Sequence, residues 1–329
     1  MEGTFRASDA VELAVVERGG FAESRHVGSA IVLAPDGEVV RTLGDVQTPI
    51  LPRSSMKPFQ AVAAMTSGVS LRGEDAAIAT ASHTGTARHV ALVRALLARA
   101  ALPASALRCP AEYPTDREAR DELVRQGLRP ESITMNCSGK HAAMLLACHA
   151  NEWPLDGYLD LDHPLQKRVL DVVERLTGER PAATVIDGCG APVHALSLTA
   201  LARGIQKITT SSTSSPFALF REAAALTEAV RANGWAVAGP GRTDTVAIER
   251  LGVFAKFGAE GVQVMTAPDG TTVALKILDG SPRALAVVAA RLLVAAGALE
   301  ASAVDAAEPA LGLEVLGGGA VVGRIRATV

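Results

Sequence analysis

The pair Ser54 and Lys57 has the side chains and the spacing for acyl transfer through a serine. The two residues lie three apart in the segment RSSMKPF, where a helix is predicted to begin near Ser55. Residues at this spacing share one helix face, so the hydroxyl and the amine can meet. The same spacing also occurs at ordinary solvated helix starts. A lysine at its reference pKa of about 10.4 is protonated at pH 7, so such an amine acts as a base only where burial or nearby positive charge lowers that pKa.

Two further segments supply the same functional groups. The turn ASHTG carries Ser82, and the strand-like segment AKFG carries Lys256. Taken alone, Ser82 suits a helix N-cap and Lys256 suits a wet sheet edge. A Ser-x-x-Lys helix start, a downstream turn serine and a strand Lys-x-Gly together form the trio of penicillin-recognising serine enzymes. The sequence therefore predicts that these groups share one site with Ser54 and Lys57.

Two glycine-flanked cysteine segments indicate a second kind of chemistry. NCSGKH contains Cys137 and His141, and DGCGAPVH contains Cys189. Two separated thiols with nearby nitrogen donors can bind zinc, although the paired C-x-x-C signature is missing, and buried inert thiols are the alternative. Cys148 lies on an apolar helix and is expected in the core.

Turn and strand signals place these residues between a sheet and a helical lobe. Pro-Asp-Gly turns at 35–37 and 268–270 each separate two β-branched runs and predict two hairpins. Strands are also predicted at LGVFAKFG and at Ala320 to Ile325, and helices at Phe59 to Thr66, Arg88 to Ala101, Lys140 to Ala150, His163 to Leu176, Phe217 to Ala232 and within SPRALAVVAARLLVAAGAL. The pattern predicts an α+β fold and a single domain, with one antiparallel sheet from about residues 10–58 and 245–329 and an inserted helical part from about 59–244.

Composition narrows the class of partner. The chain has 329 residues, 48% of them hydrophobic, and a net charge of −3 with scattered basic residues. This balance gives no electrostatic footprint for nucleic acid or an anionic membrane, so a small-molecule substrate is expected. The first residues lack a secretory pattern and no apolar run approaches about 20 residues, so we expect a cytoplasmic protein with no membrane association.

Seven blocks in series resemble one known family, the Rhizobium-type L-asparaginases of the asparaginase II sequence family. The blocks are RSSMKPFQ, ASHTGTARHV, NCSGKHAAML, DGCGAPVHALSL, GRTDT, KFGAEGVQ and ALKILDGSPRA, and the resemblance runs from about Glu12 to the C-terminus. It implies a fold similar to serine β-lactamases and glutaminases, and a homodimer. It also implies the roles of the site residues: Ser54 with Lys57 and Ser82 with Lys256 as two Ser–Lys pairs facing one pocket, and Cys137, Lys140 and Cys189 as ligands of one zinc ion.

The reaction that the resemblance implies is hydrolysis of the side-chain amide of L-asparagine to L-aspartate and ammonia. Ser54 is the expected nucleophile and Lys57 its base, forming an acyl-enzyme. Lys140, Lys256 and the zinc ion are expected to supply the positive charge around Lys57. Ser82 with Lys256 would relay a proton to the departing ammonia or exchange roles with the first pair.

The ionised groups of the amino-acid substrate also need partners. Candidates for its carboxylate and ammonium are Arg53, His141 and Asp187, with His83 and Arg242 as further candidates; each also suits a structural hydrogen bond.

Two positions depart from the family pattern. Thr86 stands where many relatives have glutamate, and Phe257 where many have glycine. Neither carries a proposed catalytic atom, so an effect is expected on pocket polarity or rate.

Two alternatives to an asparaginase remain. One is another serine acyl-transfer hydrolase, a glutaminase or a β-lactamase-like enzyme, in which the cysteine blocks have no role. The other is a non-catalytic relative that binds zinc or an amino acid, against which the four intact Ser and Lys positions argue.

Overall fold

A computed structural model describes residues 3–329 of the chain, and most of its strands form one antiparallel sheet. The strands are β1 (Val11–Arg18), β2 (Phe21–Leu33), β3 (Val39–Leu43), β4 (Thr184–Ile186), β5 (Pro192–His194), β6 (Phe254–Gly258), β7 (Val262–Thr266), β8 (Thr272–Ile277), β9 (Glu314–Gly317) and β10 (Ala320–Ala327). The main sheet has eight strands in the order β6-β7-β8-β2-β1-β10-β9, and β3 pairs with β2; β4 and β5 form a separate small sheet.

The sheet joins the two ends of the chain. Strand β2 pairs with β8, where Ala30 lies opposite Leu275, and β1 pairs with β10, where Ala14 lies opposite Ala327. This topology confirms the predicted α+β architecture, in which one antiparallel sheet is built from both chain ends around an inserted helical region.

Both predicted hairpin turns are confirmed. Gly37 and Gly270 have φ angles of 91° and 98°, a left-handed conformation that glycine adopts without steric cost. In each turn the glycine amide donates to the carbonyl three residues earlier, at 2.9 Å to Ala34 and 3.0 Å to Ala267. The Pro-Asp-Gly sequence therefore closes β2–β3 and β7–β8.

The helices lie mainly between the two halves of the sheet. They are α1 (Lys57–Met65), α2 (Gly73–Ala79), α3 (Ala87–Arg99), α4 (Arg117–Arg125), α5 (Ser138–Ala150), α6 (Pro164–Thr177), α7 (Leu198–Thr209), α8 (Ala218–Ala232), α9 (Gly234–Val237), α10 (Thr243–Leu251), α11 (Leu285–Ala295) and α12 (Ala301–Ala307). Each predicted helix is present with ends shifted by one or two residues where bounds were predicted. The sequence interpretation did not identify β1, β9 or the β4–β5 pair among the strands, or α2, α4, α7, α9, α10 and α12 among the helices.

Two elements carry the lysines of the predicted site into the interior. Every residue of α1 is buried, including Lys57. Strand β6 lies at the end of the sheet, yet Lys256 is fully buried there, because the turn that precedes α1 covers this edge. An ideal Cβ at Gly258 would lie 2.4 Å from the carbonyl oxygen of Pro52, so only glycine permits this close approach. Lys256 therefore does not occupy the wet edge that is usual for a strand lysine.

Within residues 3–329, no helix is both long enough and apolar enough to cross a bilayer.

Candidate active site

The segment before α1 is a tight turn. Residues Arg53–Met56 form a 3-10 helix, and the α-helix begins only at Lys57, with Pro58 in its first turn as predicted. Arg53 has a φ of 52°, a left-handed conformation that costs a non-glycine residue about 1–3 kcal/mol. Such strain collects at functional sites, where the surrounding structure holds it in place. Here it precedes Ser54, the predicted nucleophile.

The Lys57 amine contacts a different serine from the one that the spacing predicted. Its Nζ donates to the carbonyl oxygen of Ala81 at 2.6 Å and lies 2.9 Å from Oγ of Ser82. Within residues 3–329, no hydrogen bond joins it to the Ser54 hydroxyl. The prediction assumed an α-helix from about Ser55, whereas Ser54 lies in a 3-10 turn and the α-helix begins at Lys57.

Lys256 approaches Ser82 from the opposite side. Its Nζ lies 3.0 Å from Oγ of Ser82 and donates to the carbonyl oxygen of Phe257 at 2.8 Å. Burial lowers the pKa of Lys256 to about 7, and the charges of Lys57 and Lys140 act in the same direction. The predicted crowding of cations is therefore present, and the amine whose pKa it lowers is that of Lys256. Near pH 7 this amine is unprotonated in about half of the molecules and can accept a proton.

Ser82 is fixed between the two lysines by its backbone and opens on a cavity. Its amide donates to the carbonyl oxygen of Val237 at 2.8 Å. A cavity of about 420 Å³ is lined by Ser82 together with Asn136, Arg242 and Phe257. A small polar substrate can reach the Ser82 hydroxyl through this space. Arg242, a further candidate for binding the substrate, is exposed at this cavity.

The predicted metal-binding residues come together from two distant segments. Cys137 immediately precedes α5, Lys140 lies in its first turn, and Cys189 lies in the loop between β4 and β5. All three are buried, and Nζ of Lys140 lies 3.0 Å from Sγ of Cys189. Hydrogen bonding by Cys137, the charge of Lys140 and contact with His141 hold the pKa of Cys189 well below its usual value. This electrostatic environment favours a thiolate at Cys189.

This donor set has an unusual composition for a metal centre. Residues 3–329 contain no group of three or more His, Cys, Asp or Glu side chains arranged to hold a metal ion. The set formed by Cys137, Lys140 and Cys189 has two thiols and one amine, so it depends on the lysine as a third donor. Thiolates and neutral amines are both ligands that zinc accepts.

His141 lies against the thiols in the interior. It is fully buried on α5, with Nδ1 2.7 Å from the hydroxyl of Tyr158, and its Nε2 has no hydrogen-bond partner within residues 3–329. Burial lowers the pKa of His141 to about 4, while Cys189 opposes this shift, so the ring is neutral near pH 7. We predicted contact with the substrate for this residue, and the structure places its ring between Tyr158 and Cys189.

Arg53 and Asp187 form a partly buried ion pair. Nε of Arg53 donates to Oδ1 of Asp187 at 2.7 Å, and the same oxygen accepts the amide of Gly188 at 2.8 Å. Within the described residues, the guanidinium NH₂ groups of Arg53 and the second carboxylate oxygen of Asp187 form no hydrogen bond. The pair therefore offers a cationic and an anionic group side by side. Arg53 lines a second, more apolar cavity of about 600 Å³ that does not include Ser82.

The remaining noted positions have structural contacts. His83 lies 2.9 Å from the hydroxyl of Ser138 and accepts the amide of Gly85 at 3.1 Å, so both ring nitrogens are engaged. Thr86 caps the N-terminus of α3, with Oγ1 2.7 Å from Nδ1 of His89. At this position a threonine has a clear structural role, which accounts locally for the departure from glutamate.

One buried carboxylate at the site was missed by the sequence interpretation. Asp244, in the first turn of α10, accepts hydrogen bonds from the amide of Phe257 at 2.7 Å and from Nε2 of Gln263 at 3.1 Å. It also lines the Ser82 cavity. The block GRTDT contains this residue, but nothing in its local sequence indicates that its carboxylate faces β6.

The family model for L-asparaginase II matches residues 14–327, nearly the whole chain. No curated protein sequence gives a match. Among solved structures, the chain is similar to Mglu in its native form, with 12% identity over 86% of this chain and 68% of that chain and a TM-score of 0.45. It is similar to a Bacillus glutaminase, with 12% identity over 82% and 89% of the two chains and a TM-score of 0.43. It is also similar to a β-lactamase from Mycobacterium bovis, with 15% identity over 82% and 94% and a TM-score of 0.44.

Proposed function

The chain belongs to the L-asparaginase II family, and from this premise we propose that it hydrolyses the side-chain amide of L-asparagine to L-aspartate and ammonia. The observation that carries the proposal is Ser82 held between the buried amines of Lys57 and Lys256. Two amines on one hydroxyl, one of them with a pKa of about 7, form a proton-transfer path at the pH of a cell. A binding protein has no need of this arrangement.

A count of hydrogens supports Ser54 as the nucleophile and Ser82 as the relay. To act as a base, Lys57 must be in its amine form, whose two N–H groups the carbonyl of Ala81 and Oγ of Ser82 accept, so that its lone pair remains for the Ser54 proton. Ser82 can then donate its own proton to the neutral Lys256. Ser54 attacks the amide carbon and its proton passes to Lys57, which protonates Ser82 as Ser82 gives its own proton to Lys256. The Lys256 ammonium then returns this proton through Ser82 to the departing ammonia. Water then hydrolyses the ester.

The Arg53–Asp187 pair is suited to the amino-acid end of the substrate. The unused guanidinium NH₂ groups of Arg53 can bind a carboxylate, and the second oxygen of Asp187 can accept from an ammonium. Because Arg53 directly precedes Ser54 in the chain, this end of the substrate would be held next to the nucleophile. His141 would act on the Cys189 side of the site, away from the substrate.

Cys137, Lys140 and Cys189 would hold a zinc ion. The fit rests on two observations: the three donors meet in a buried cluster, and the environment favours a thiolate at Cys189. The pKa values of the Cys137 thiol and the Lys140 amine are raised in their surroundings, so zinc binding would release a proton from each of them. When bound, zinc supplies Lewis acidity that can polarise a carbonyl, together with a cross-link between α5 and the β4–β5 loop. The neutral His141 beside Cys189 would orient that ligand.

Removing one thiol is expected to remove the metal. We expect purified wild-type protein to contain about one zinc per chain. The zinc content of Cys189→Ala should be at least about tenfold lower, because only two donors remain. The measurement is elemental analysis by mass spectrometry after dialysis. Cys148→Ala is the matched control, because Cys148 is a buried thiol elsewhere on α5 and its zinc content should stay at the wild-type level. A zinc-free wild type, or a Cys189→Ala protein that keeps its zinc, contradicts the assignment.

Ammonia release with four substrates tests the function itself. We expect the purified protein to hydrolyse L-asparagine. The kcat/KM for L-glutamine should be at least about tenfold lower than for L-asparagine, since one methylene is worth about 1–3 kcal/mol in a fitted pocket. Nitrocefin and p-nitrophenyl acetate serve as substrates for a β-lactamase and an esterase. Preferred turnover of L-glutamine, nitrocefin or p-nitrophenyl acetate points to another acyl-transfer hydrolase, and binding of L-asparagine without release of ammonia points to a non-catalytic relative.

We also expect the homodimer that the family resemblance implies, and gel filtration with light scattering measures it.

A further inference from the structure

Asp244 is a buried acidic residue to which the mechanism above gives no role. Its side chain is 3% exposed, and both of its oxygens accept hydrogen bonds, from the amide of Phe257 and from the side chain of Gln263. Phe257 and Gln263 lie opposite each other on β6 and β7. The carboxylate therefore clamps one cross-strand pair at the edge of the sheet.

This clamp acts on the backbone of the catalytic lysine. The peptide group between Lys256 and Phe257 accepts the hydroxyl of Ser55 at its carbonyl, at 3.1 Å, and donates its N–H to Asp244, at 2.7 Å. The following carbonyl, that of Phe257, accepts the Lys256 amine at 2.8 Å. Side chains thus fix both sides of the peptide from which the Lys256 side chain extends toward Ser82.

Asp244 is also the strongest source of negative charge among the groups that act on the Lys256 amine. Lys57 from α1 and Lys140 from α5 lower its pKa, and Asp244 from α10 and Cys137, before α5, raise it. Burial is the largest influence and lowers the pKa, and Asp244 gives the strongest opposing one. Without the carboxylate, the lysine would become a weaker base.

We propose that Asp244 is a positioning residue for Lys256, because it fixes the Lys256–Phe257 peptide and supplies a buried negative charge that acts on the lysine amine. This inference rests on the proposed function in one respect, because the proposed function makes Lys256 the group that accepts a proton. Asp244 needs no contact with the substrate, since both of its oxygens are already bound within the protein.

The test is the pH dependence of Asp244→Asn. Loss of the charge should move the acid limb of kcat/KM to lower pH by about 1 unit, because a weaker base stays unprotonated to lower pH. At the plateau, kcat should fall about tenfold and KM should stay within about twofold. Asp244→Glu keeps the charge and should return the limb toward the wild-type position. An unmoved limb, or a loss confined to KM, overturns the inference.

Two controls separate a positioning role from general damage. Thr245→Val removes a buried hydrogen bond to the carbonyl of Gly234 from the same turn of α10, and it should leave the limb in place. A movement of the limb in this variant as large as in Asp244→Asn also overturns the inference. NMR titration of the ¹³Cε signals of labelled lysines follows Lys256 directly, with Lys256→Met for assignment, and needs no turnover. A lysine signal that shifts its midpoint downward in Asp244→Asn supports the inference even if L-asparagine is not the substrate.

Discussion

Ser54→Ala is expected to lower ammonia release from L-asparagine by about 10⁴-fold or more, because removal of the nucleophile leaves only binding and electrostatic stabilisation. Ser82→Ala is expected to lower it by about 10²- to 10³-fold, the usual range for loss of a group that transfers a proton. The difference in size distinguishes the two serines. Steady-state ammonia release at saturating L-asparagine measures both variants.

Trapping the acyl-enzyme identifies the nucleophile directly. Rapid acid quench during turnover, followed by peptide mass spectrometry, should find an aspartyl ester on the peptide that contains Ser54. Because the relay protonates the departing ammonia, Ser82→Ala should form this ester on the same serine, but more slowly than the wild type. An ester on Ser82, or a larger loss of rate for Ser82→Ala than for Ser54→Ala, reverses the roles and makes Lys256 the base of the nucleophile.

The matched control for both variants is Ser67→Ala. Ser67 is a buried serine just after α1 whose hydroxyl donates to the carbonyl of Ala63 at 2.8 Å. Its loss removes a buried hydrogen bond, worth about 1 kcal/mol of stability, without touching the site. The temperature of thermal unfolding should therefore fall at least as much in Ser67→Ala as in Ser54→Ala, and the rate of ammonia release should not change.

The local features of the fold follow from short-range chemistry in the sequence. The two Pro-Asp-Gly turns need a left-handed glycine at 37 and 270, and the flanking β-branched runs can pair only as hairpins. The helices α6 and α8 could likewise be predicted, because their apolar residues recur with helical periodicity along the sequence. Helix α7 was missed although most of its residues are buried. It follows the short β4–β5 pair, which no local sequence pattern predicts.

The partners of the site residues depend on long-range geometry that spacing does not determine. The Lys57 amine contacts Ser82, which comes from a loop 25 residues away, and within the described part of the chain it forms no hydrogen bond with the serine three residues before it. Likewise, Cys137 and Cys189 are brought together by the packing of the β4–β5 loop on α5. No local pattern encodes that contact, so only the family resemblance could assign these residues to one cluster.

From the sequence, burial and the positive charges of Lys140, Lys256 and zinc are expected to lower the pKa of Lys57. In the structure, burial and the charges of Lys57 and Lys140 lower the pKa of Lys256. The residue with the lowered pKa is Lys256, because it is buried on β6 with two cations nearby. Depth of burial cannot be judged from a strand-edge sequence, where a wet lysine is the normal outcome.

Lys256→Met is expected to lower ammonia release by about 10³-fold and to remove the acid limb of the pH profile. In the wild type, Lys256 has a pKa of about 7 and must be unprotonated to accept a proton, so activity should rise with pH through about 7. Methionine has a similar length and cannot titrate, so the residual activity of the variant should lack the limb that Lys256 sets near pH 7. Initial rates between pH 5 and 9 measure both effects.

The titration of Lys256 also predicts how Lys256→Met changes stability: the variant should lose activity without losing stability. The pKa of Lys256 in the folded chain, about 7, lies below the value of about 10.4 expected when the chain unfolds. Between these values the unfolded chain binds more protons, so the free energy of unfolding rises with pH through this window, and the buried lysine costs most stability below pH 7. Lys256→Met removes that cost. We therefore expect a variant that is nearly inactive and at least as stable as the wild type at pH 7, as measured by urea unfolding.

Lys276→Met is the control for this pair of results. Lys276 is a buried strand lysine on β8 whose pKa is also lowered by burial, and its amine donates to the carbonyl oxygens of Glu260 and Ile277. Its replacement should leave the acid limb near pH 7, because it does not contact Ser82. If the limb persists in Lys256→Met, or disappears in Lys276→Met, then the group that must lose a proton for turnover is not Lys256. In that case Ser82 cannot pass its proton to β6, and Lys57 alone must serve both serines.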